Sequence, residues 1–317
     1  MTLFLIFLGA LVKSTESGLS VPDWPTTYGK FMFGYPLNKM AGGIKYEHTH
    51  RMLASIVGLL TLILTLWLLR IKQMPVWIKR LGIFAFLTVV AQGILGGLTV
   101  KFFLPVWLST FHGVLAQTFF LIVILVAYGL SMERHQRRMK EESYNPRILR
   151  LAILLMVMIY IQLIIGNVMR HLQAGLAVPD FPTMGWTFFP TFDQAWLNRI
   201  NAWRFENNLQ PVNMGQVYIH LLHRVWAFLI LLKILWLNHV AYKECLEKPL
   251  ILKTLYWLNI AVILQISLGI SAVLSHKEVY TTTMHVTVGA IVLGLSFLMV
   301  LRTSPLTWNQ FIKHIGA

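Results

Sequence analysis

Apolar stretches recur along the chain at 2–12, 52–69, 81–100, 108–130, 151–169, 217–238, 254–274 and 284–301. Most approach the ~20 residues needed to cross ~30 Å of hydrocarbon. Between them stand Gly, Pro and charge clusters rather than strands of alternating polarity, which argues against an outer-membrane barrel. The expectation is an all-α polytopic membrane protein with eight transmembrane helices. Composition agrees: 56% of residues are hydrophobic, 12% are charged and the mean hydropathy is +0.65, against a charged fraction of about 25% in soluble domains.

The net charge of +15 raises nucleic acid as a partner, but the basic residues gather in particular loops. Loops 70–80, 131–150 and 239–253 and the tail 302–317 hold 15 Lys/Arg in 62 residues; the alternate loops 14–45, 101–107, 170–215 and 275–280 hold 8 in 91. The first set, with Arg134, Arg137, Arg138, Lys140, Arg147 and Arg150, is therefore expected on the cytoplasmic side together with both chain ends. Lipid, not nucleic acid, is the expected surrounding. Cys245, the single cysteine, falls in an inner loop, so no intrachain disulfide or cysteine-based metal site can form. The N-terminal MTLFLIFLGALVKS lacks a basic leader and a small-residue cleavage pattern, and reads as a retained first helix.

The chain contains a repeat. Gly9–Thr26 (GALVKSTESGLSVPDWPT) aligns with Gly166–Thr183 (GNVMRHLQAGLAVPDFPT) at an offset of 157, pairing Lys13 with Arg170. After an outer loop that is 16 residues longer in the second copy, the offset becomes 173 and pairs His50-Arg51 with His223-Arg224, Gln92 with Gln265, Gly96 with Gly269, and His112 with His285. Each half then contributes four helices, an even number, so the halves are expected to be parallel tandem four-helix bundles, 1–140 and 141–317. Met1 aligns with Met158, which already lies inside its helix. Either the start lies upstream or the first helix is short and the bilayer adapts.

Four of the eleven histidines lie within spans at matching depth. His50 and His223 stand at the outer ends of the second and sixth spans, and His112 and His285 in the first turns of the fourth and eighth. A lone histidine at a helix end is often an interfacial anchor, but ionisable residues in spans are costly, and this pair recurs in both halves. Two imidazoles from facing helices suit the axial positions of a haem iron. Zinc suits them less, because it takes a further protein ligand. Arg51 and Arg224 follow the first ligand directly and could pair with a haem propionate or simply snorkel. Gln92 and Gln265 read as helix-packing residues, and Lys233 as a snorkelling cation. Glu47 precedes His50 by three residues and so shares its helix face, whereas the second copy has His220 there. A carboxylate beside only one haem suggests that one macrocycle is substrate and the other an electron carrier.

These residues, with Ser17-Gly18-Leu19-Ser20, Pro22-Asp23-Trp24-Pro25, Glu47-His48-Thr49-His50-Arg51, Phe111-His112-Gly113, His223-Arg224 and Met284-His285, resemble the haem A synthase family along essentially the whole chain. The resemblance implies an N-terminal half that binds haem O as substrate between His50 and His112, with Glu47 as catalytic carboxylate. It also implies a C-terminal half that holds haem b through His223 and His285. The implied reaction oxidises the C8 methyl of haem O to the formyl of haem A by successive hydroxylation. Implied partners are a haem O synthase as supplier, cytochrome oxidase as product acceptor and an electron acceptor of unknown identity, in a bacterial plasma membrane. Some members carry an outer-loop cysteine pair, which this chain lacks between Ser20 and Gly29; His220 and the loop 184–215 have no assigned role. The alternative is a bis-histidine cytochrome b that carries electrons without altering its haem. A two-halved transporter comes third, since it calls for broken mid-membrane helices.

Overall fold

The computed structural model describes residues 1–139 and 145–305. Lys140, the boundary expected between the halves and the tail 306–317 lie outside them. Ten helices follow one another: α1 Thr2–Ser14, α2 Gly42–Arg70, α3 Val76–Lys101, α4 Val106–Gly129, α5 Met132–Met139, α6 Pro146–His171, α7 Gln194–Glu206, α8 Met214–Glu244, α9 Pro249–Leu274 and α10 Val279–Thr303. Seven of them (α2, α3, α4, α6, α8, α9 and α10) are long and apolar enough to cross a membrane. The first expected span is apolar too, but has 13 residues, about 20 Å of helix. Large apolar side chains such as Ile63, Trp67, Phe84, Leu235, Trp236 and Ile263 point outward, as a hydrocarbon solvent permits and water does not.

Helix starts follow from local chemistry. Asn145 accepts from the Arg147 and Ile148 amides ahead of Pro146 at the first turn of α6. Asn213 and Gln216 cap each other's amides at the start of α8, and Glu278 accepts from the Tyr280 and Thr281 amides to start α10. At the other end, Arg302 pairs with Glu133 of α5 and Arg147 with Glu244. Lys233 places its ammonium over the Trp236 ring, one turn nearer that end of α8.

Helix contacts fall into two closed sets. α1 packs on α2, α2 on α3, α3 on α4 and α4 on α1; likewise α6 on α8, α8 on α9, α9 on α10 and α10 on α6. Between the sets, α1 meets α10, its repeat mate α6 meets α4, and α4 meets α10. α10 is the most enclosed span, with 56% of its apolar window buried against 22–33% in the others, which places it at the centre. Buried Leu155, Leu255, Leu258, Leu293 and Met299 fill the second set, and Val57, Leu68, Ile78 and Phe119 the first.

The unassigned loop 184–215 is compact. Its helix α7 buries Trp196 and Ile200 against Ala174, Val178 and Val217, and Arg204 donates to the carbonyls of Leu176 and Gln210, both at 2.6 Å. The loop therefore roofs the segment that links α6 to α8.

Candidate functional site: paired imidazoles beneath clamped loops

In each closed set the two histidines stand on diagonal helices, α2 and α4 or α8 and α10. Every imidazole is seated against a glycine of the helix beside it. A methyl group at Gly9, Gly96, Gly166 or Gly269 would lie 3.0, 3.3, 3.2 or 3.0 Å from Cε1 of His50, His112, His223 or His285, respectively. These four glycines are repeat mates, Gly9 with Gly166 at the offset of 157 and Gly96 with Gly269 at the histidines' own offset of 173, so ring orientation is a property of the duplicated scaffold. Replacing Gly269 by Val crowds His285 and is expected to cost about 1–3 kcal/mol of binding for whatever the ring ligates, a typical overpacking cost. Titration of the stripped protein with ferric porphyrin measures this.

His223 and His285 face each other with ring centroids 6.4 Å apart and planes inclined at 64°. With metal–imidazole bonds of about 2.0–2.1 Å and a ring centre about 1.2 Å beyond the nitrogen, one metal between two imidazoles gives centroids about 6.4 Å apart. His285 Nδ1 lies 3.2 Å from the Gln265 carbonyl. Donation there makes Nε2 the acceptor nitrogen, the tautomer a metal requires, and the Gln265 side-chain amide approaches that nitrogen at 3.4 Å. Gln162 donates to the His223 carbonyl at 3.0 Å and approaches its Nε2 at 3.3 Å. In the first half Gln92 donates to the His112 carbonyl at 3.0 Å. His112 sits beside the Gln92 carbonyl and within charge range of His50, while Nδ1 of both rings has no hydrogen-bond partner. Among the described residues, no three of His, Cys, Asp and Glu converge to hold a metal. The donor set is thus two imidazoles on diagonal helices in each set, flanked by glutamine amides, and the 6.4 Å spacing of the second pair fits an iron macrocycle.

The arginines after the histidines serve the outer loops. Arg51 Nη1 donates to the carbonyls of Asp23 at 2.6 Å and Thr26 at 3.3 Å, and Nη2 to the Val21 carbonyl at 2.8 Å and Glu47 Oε1 at 2.5 Å. Arg224 repeats this on Thr183, Val178 and Asp180, the equivalents in the second copy. Asp23 folds the turn by accepting from the Tyr28 and Gly29 amides and Thr26 Oγ1; Asp180 does so from Gly185, Trp186 and Thr183. Slight burial raises the Asp23 pKa, but the bonds from Thr26, Gly29 and Tyr28 outweigh it and hold the carboxyl below its usual range. Its contribution to the turn is present above the ordinary carboxylate pKa and is lost as pH falls through the lowered value. The Trp24 ring lies on Gly97 of α3, where any Cβ would collide with it, pinning the first loop over its pocket.

Glu47 is buried, 3% exposed, so it is not a solvated loop acid. Its Oε2 accepts from the Val21 amide at 2.8 Å while Oε1 takes Arg51. In the second copy the Val178 amide lies 3.2 Å from His220 Nδ1, and Arg224 Nε 3.1 Å from His220 Nε2. Both groups can only donate, and a neutral imidazole has one acceptor nitrogen, so one contact is unsatisfied. The pocket has the polarity of a carboxylate site. His220→Glu is accordingly expected to be tolerated and to raise thermal stability by on the order of 1 kcal/mol, read as an upward shift in detergent melting temperature.

Sequence reasoning singled out the four histidines, and the structure brings the His223 and His285 rings within 6.4 Å of each other. It left the arginines as propionate partners or snorkelling cations; in the structure three Arg51 N–H groups reach loop carbonyls and a fourth reaches Glu47. It took Gln92 and Gln265 for packing residues, yet both touch the histidines, as does Gln162. The glycine seats were visible as conserved spacing between the two copies, Gly9 to Gly166 and Gly96 to Gly269.

Fold and site together define a polytopic helical membrane protein with two internally repeated, paired-histidine pockets. The model of the COX15-CtaA family, cytochrome oxidase assembly proteins, matches residues 34–297, and the chain belongs to that family. It is similar to the heme A synthases of Pelagibacter ubique (25% identical, covering 95% of this chain and 92% of the relative) and Rickettsia bellii strain OSU 85-389 (26%, 90% of each). A third similar protein is the heme A synthase of Halalkalibacterium halodurans, 27% identical over 89% of this chain and 86% of that one.

Proposed function

We propose that this protein is a haem A synthase that oxidises the C8 methyl of haem O to a formyl group. The observation that carries the reading is the 6.4 Å separation of the His223 and His285 rings, a spacing at which the two could hold one iron between them, in a chain whose similar proteins are heme A synthases. The halves are read as parallel four-helix bundles, with α1 as the short eighth span, both ends cytoplasmic and the pockets toward the outer face of a bacterial plasma membrane. The C-terminal half, 141–317, holds haem b, which when bound supplies reversible one-electron chemistry. The N-terminal half, 1–140, holds haem O between His50 and His112. Glu47 is the group placed to hold or take a proton at its Oε atoms as the methyl is hydroxylated, while Arg51 fixes its orientation. The Arg51 and Arg224 clamps serve cofactor binding by holding a loop over each pocket and excluding water. The gem-diol left by the second hydroxylation loses water to give the formyl group. A haem O synthase supplies the substrate, cytochrome oxidase receives the product, and a further acceptor takes the electrons.

The test is expression with a haem O source followed by pigment extraction. Haem A or its hydroxymethyl intermediate is the expected result; only unmodified haem from a folded, six-coordinate preparation favours a bis-histidine cytochrome b instead.

A further inference from the structure

We infer that a basic cleft at the junction of the two halves, centred on Arg170, is a binding site for the carboxylates of the porphyrin held at His223 and His285. This rests on the haem reading above. Lys13 and Arg170 are repeat mates in the last turns of α1 and α6. Arg170 reaches across to α1, donating to the Ala10 carbonyl at 2.6 Å and Ser14 Oγ at 2.8 Å. Ser14 in turn accepts from Thr282 of α10 at 3.1 Å, so three helix ends meet there. Lys277, in the turn before α10, lays its Cδ 3.8 Å from where a Cβ on Gly175 would stand. It lies within charge range of Lys13, Arg204 and Glu16. His171 lies within range of Lys13, Arg170 and His112, and Arg170 within range of His285.

The charge in this cleft does not balance. Among the described residues Glu16 is the acid within range of the lysines, and neighbouring Glu278 is committed to the start of α10. The acceptors on Arg170 are both neutral. Lys277 is exposed at the edge of the cluster while Lys13 and Arg170 are half-buried; half-buried cations without an anion are costly, so the cleft favours a negatively charged guest. Arg51 and Arg224, the cations adjacent to the ligands in sequence, have given their donors to loop carbonyls and leave the porphyrin carboxylates in need of others. His285 lies six residues below the start of α10, about 9 Å, which puts the cleft directly above it. A lipid phosphate shares this chemistry, but Arg170 is tucked between α1 and α6 and beside a ligand histidine, not on the lipid-facing rim.

The full-length protein, stripped of pigment and held in neutral detergent without anionic lipid, is titrated with ferric protoporphyrin and with its dimethyl ester. The six-coordinate absorption spectrum is the readout. The wild type is expected to bind the free acid about tenfold or more tightly than the ester, since ionised acceptors make the stronger hydrogen bonds. Arg170→Met and, separately, Lys277→Met should each shrink that ratio about three- to tenfold with ester affinity unchanged; Lys253→Met, on exposed α9 surface, should leave it intact. Arg170 also ties α1 to α6, so if its variant does not fold, Lys277→Met decides alone. An unchanged ratio in the folded variants overturns the proposal, as does a preference that anionic lipid abolishes equally in wild type and variants. Absence of a six-coordinate spectrum with either porphyrin would instead overturn the haem reading itself.

Discussion

Glu47→Gln is expected to leave the six-coordinate haem spectrum in place and to lower formyl-haem production by about 10²-fold or more, the usual scale for losing a positioned proton-transfer group. The structure adds a second effect. Arg51 is buried and has Glu47 as its ion-pair partner, so neutralising the carboxylate leaves a guanidinium held by carbonyls alone. Breaking a buried pair costs about 3–5 kcal/mol; the retained amide oxygen and the three loop carbonyls bring the expected loss to the lower end. Melting temperature therefore falls whether the protein is an enzyme or an electron carrier, and product analysis separates the two. Unaltered haem A yield from folded Glu47→Gln protein would remove Glu47 from the chemistry.

His223→Ala and His285→Ala should each abolish the haem b spectrum, because one imidazole would be left to hold the iron and, among the described residues, no three of His, Cys, Asp and Glu converge to replace the other. His50→Ala and His112→Ala should spare most of that spectrum and stop haem A formation. Each substitution also leaves a void beside a glycine. Added imidazole, small enough to fill it, should restore part of the six-coordinate signal in the His223 and His285 variants. The reverse pattern, with the spectrum lost from the first pair, would exchange the assignments of the two halves.

Much of this architecture was legible in the chain. Hydropathy located all seven long spans, and the repeat pairs α1 with α6 and α4 with α10; the matching contacts of α1 with α10 and α6 with α4 appear only in the structure. What escaped was where side chains spend their hydrogen bonds. Arg51 and Arg224 looked like cations awaiting an external anion because sequence spacing carries no information on loop carbonyls twenty-five to forty-six positions away. The clamp becomes visible only when Val21, Asp23 and Thr26 are folded back over α2. His220 posed the converse difficulty. As a residue type it suggests a ligand or a base, whereas its two neighbours, the Val178 amide and Arg224, both demand an acceptor. Loop 184–215 resisted assignment because Trp196 and Ile200 are buried by packing on Ala174 and Val178, a contact that no periodicity encodes.

The mismatch between Glu47 and His220 also makes the two otherwise matching chambers electrically unequal. The first clamp joins a buried carboxylate to its guanidinium; the second sets the equivalent guanidinium against an imidazole, with Asp180 of the loop as the acid within its charge range, and is the more positive of the two. Extra positive charge beside a metal favours its lower oxidation state, so on the proposed haem reading an iron bound in the second chamber would gain electrons more readily than one bound in the first. On that reading the difference between Glu47 and His220 would set a downhill direction for electrons, from the chamber with the acid toward the chamber without it.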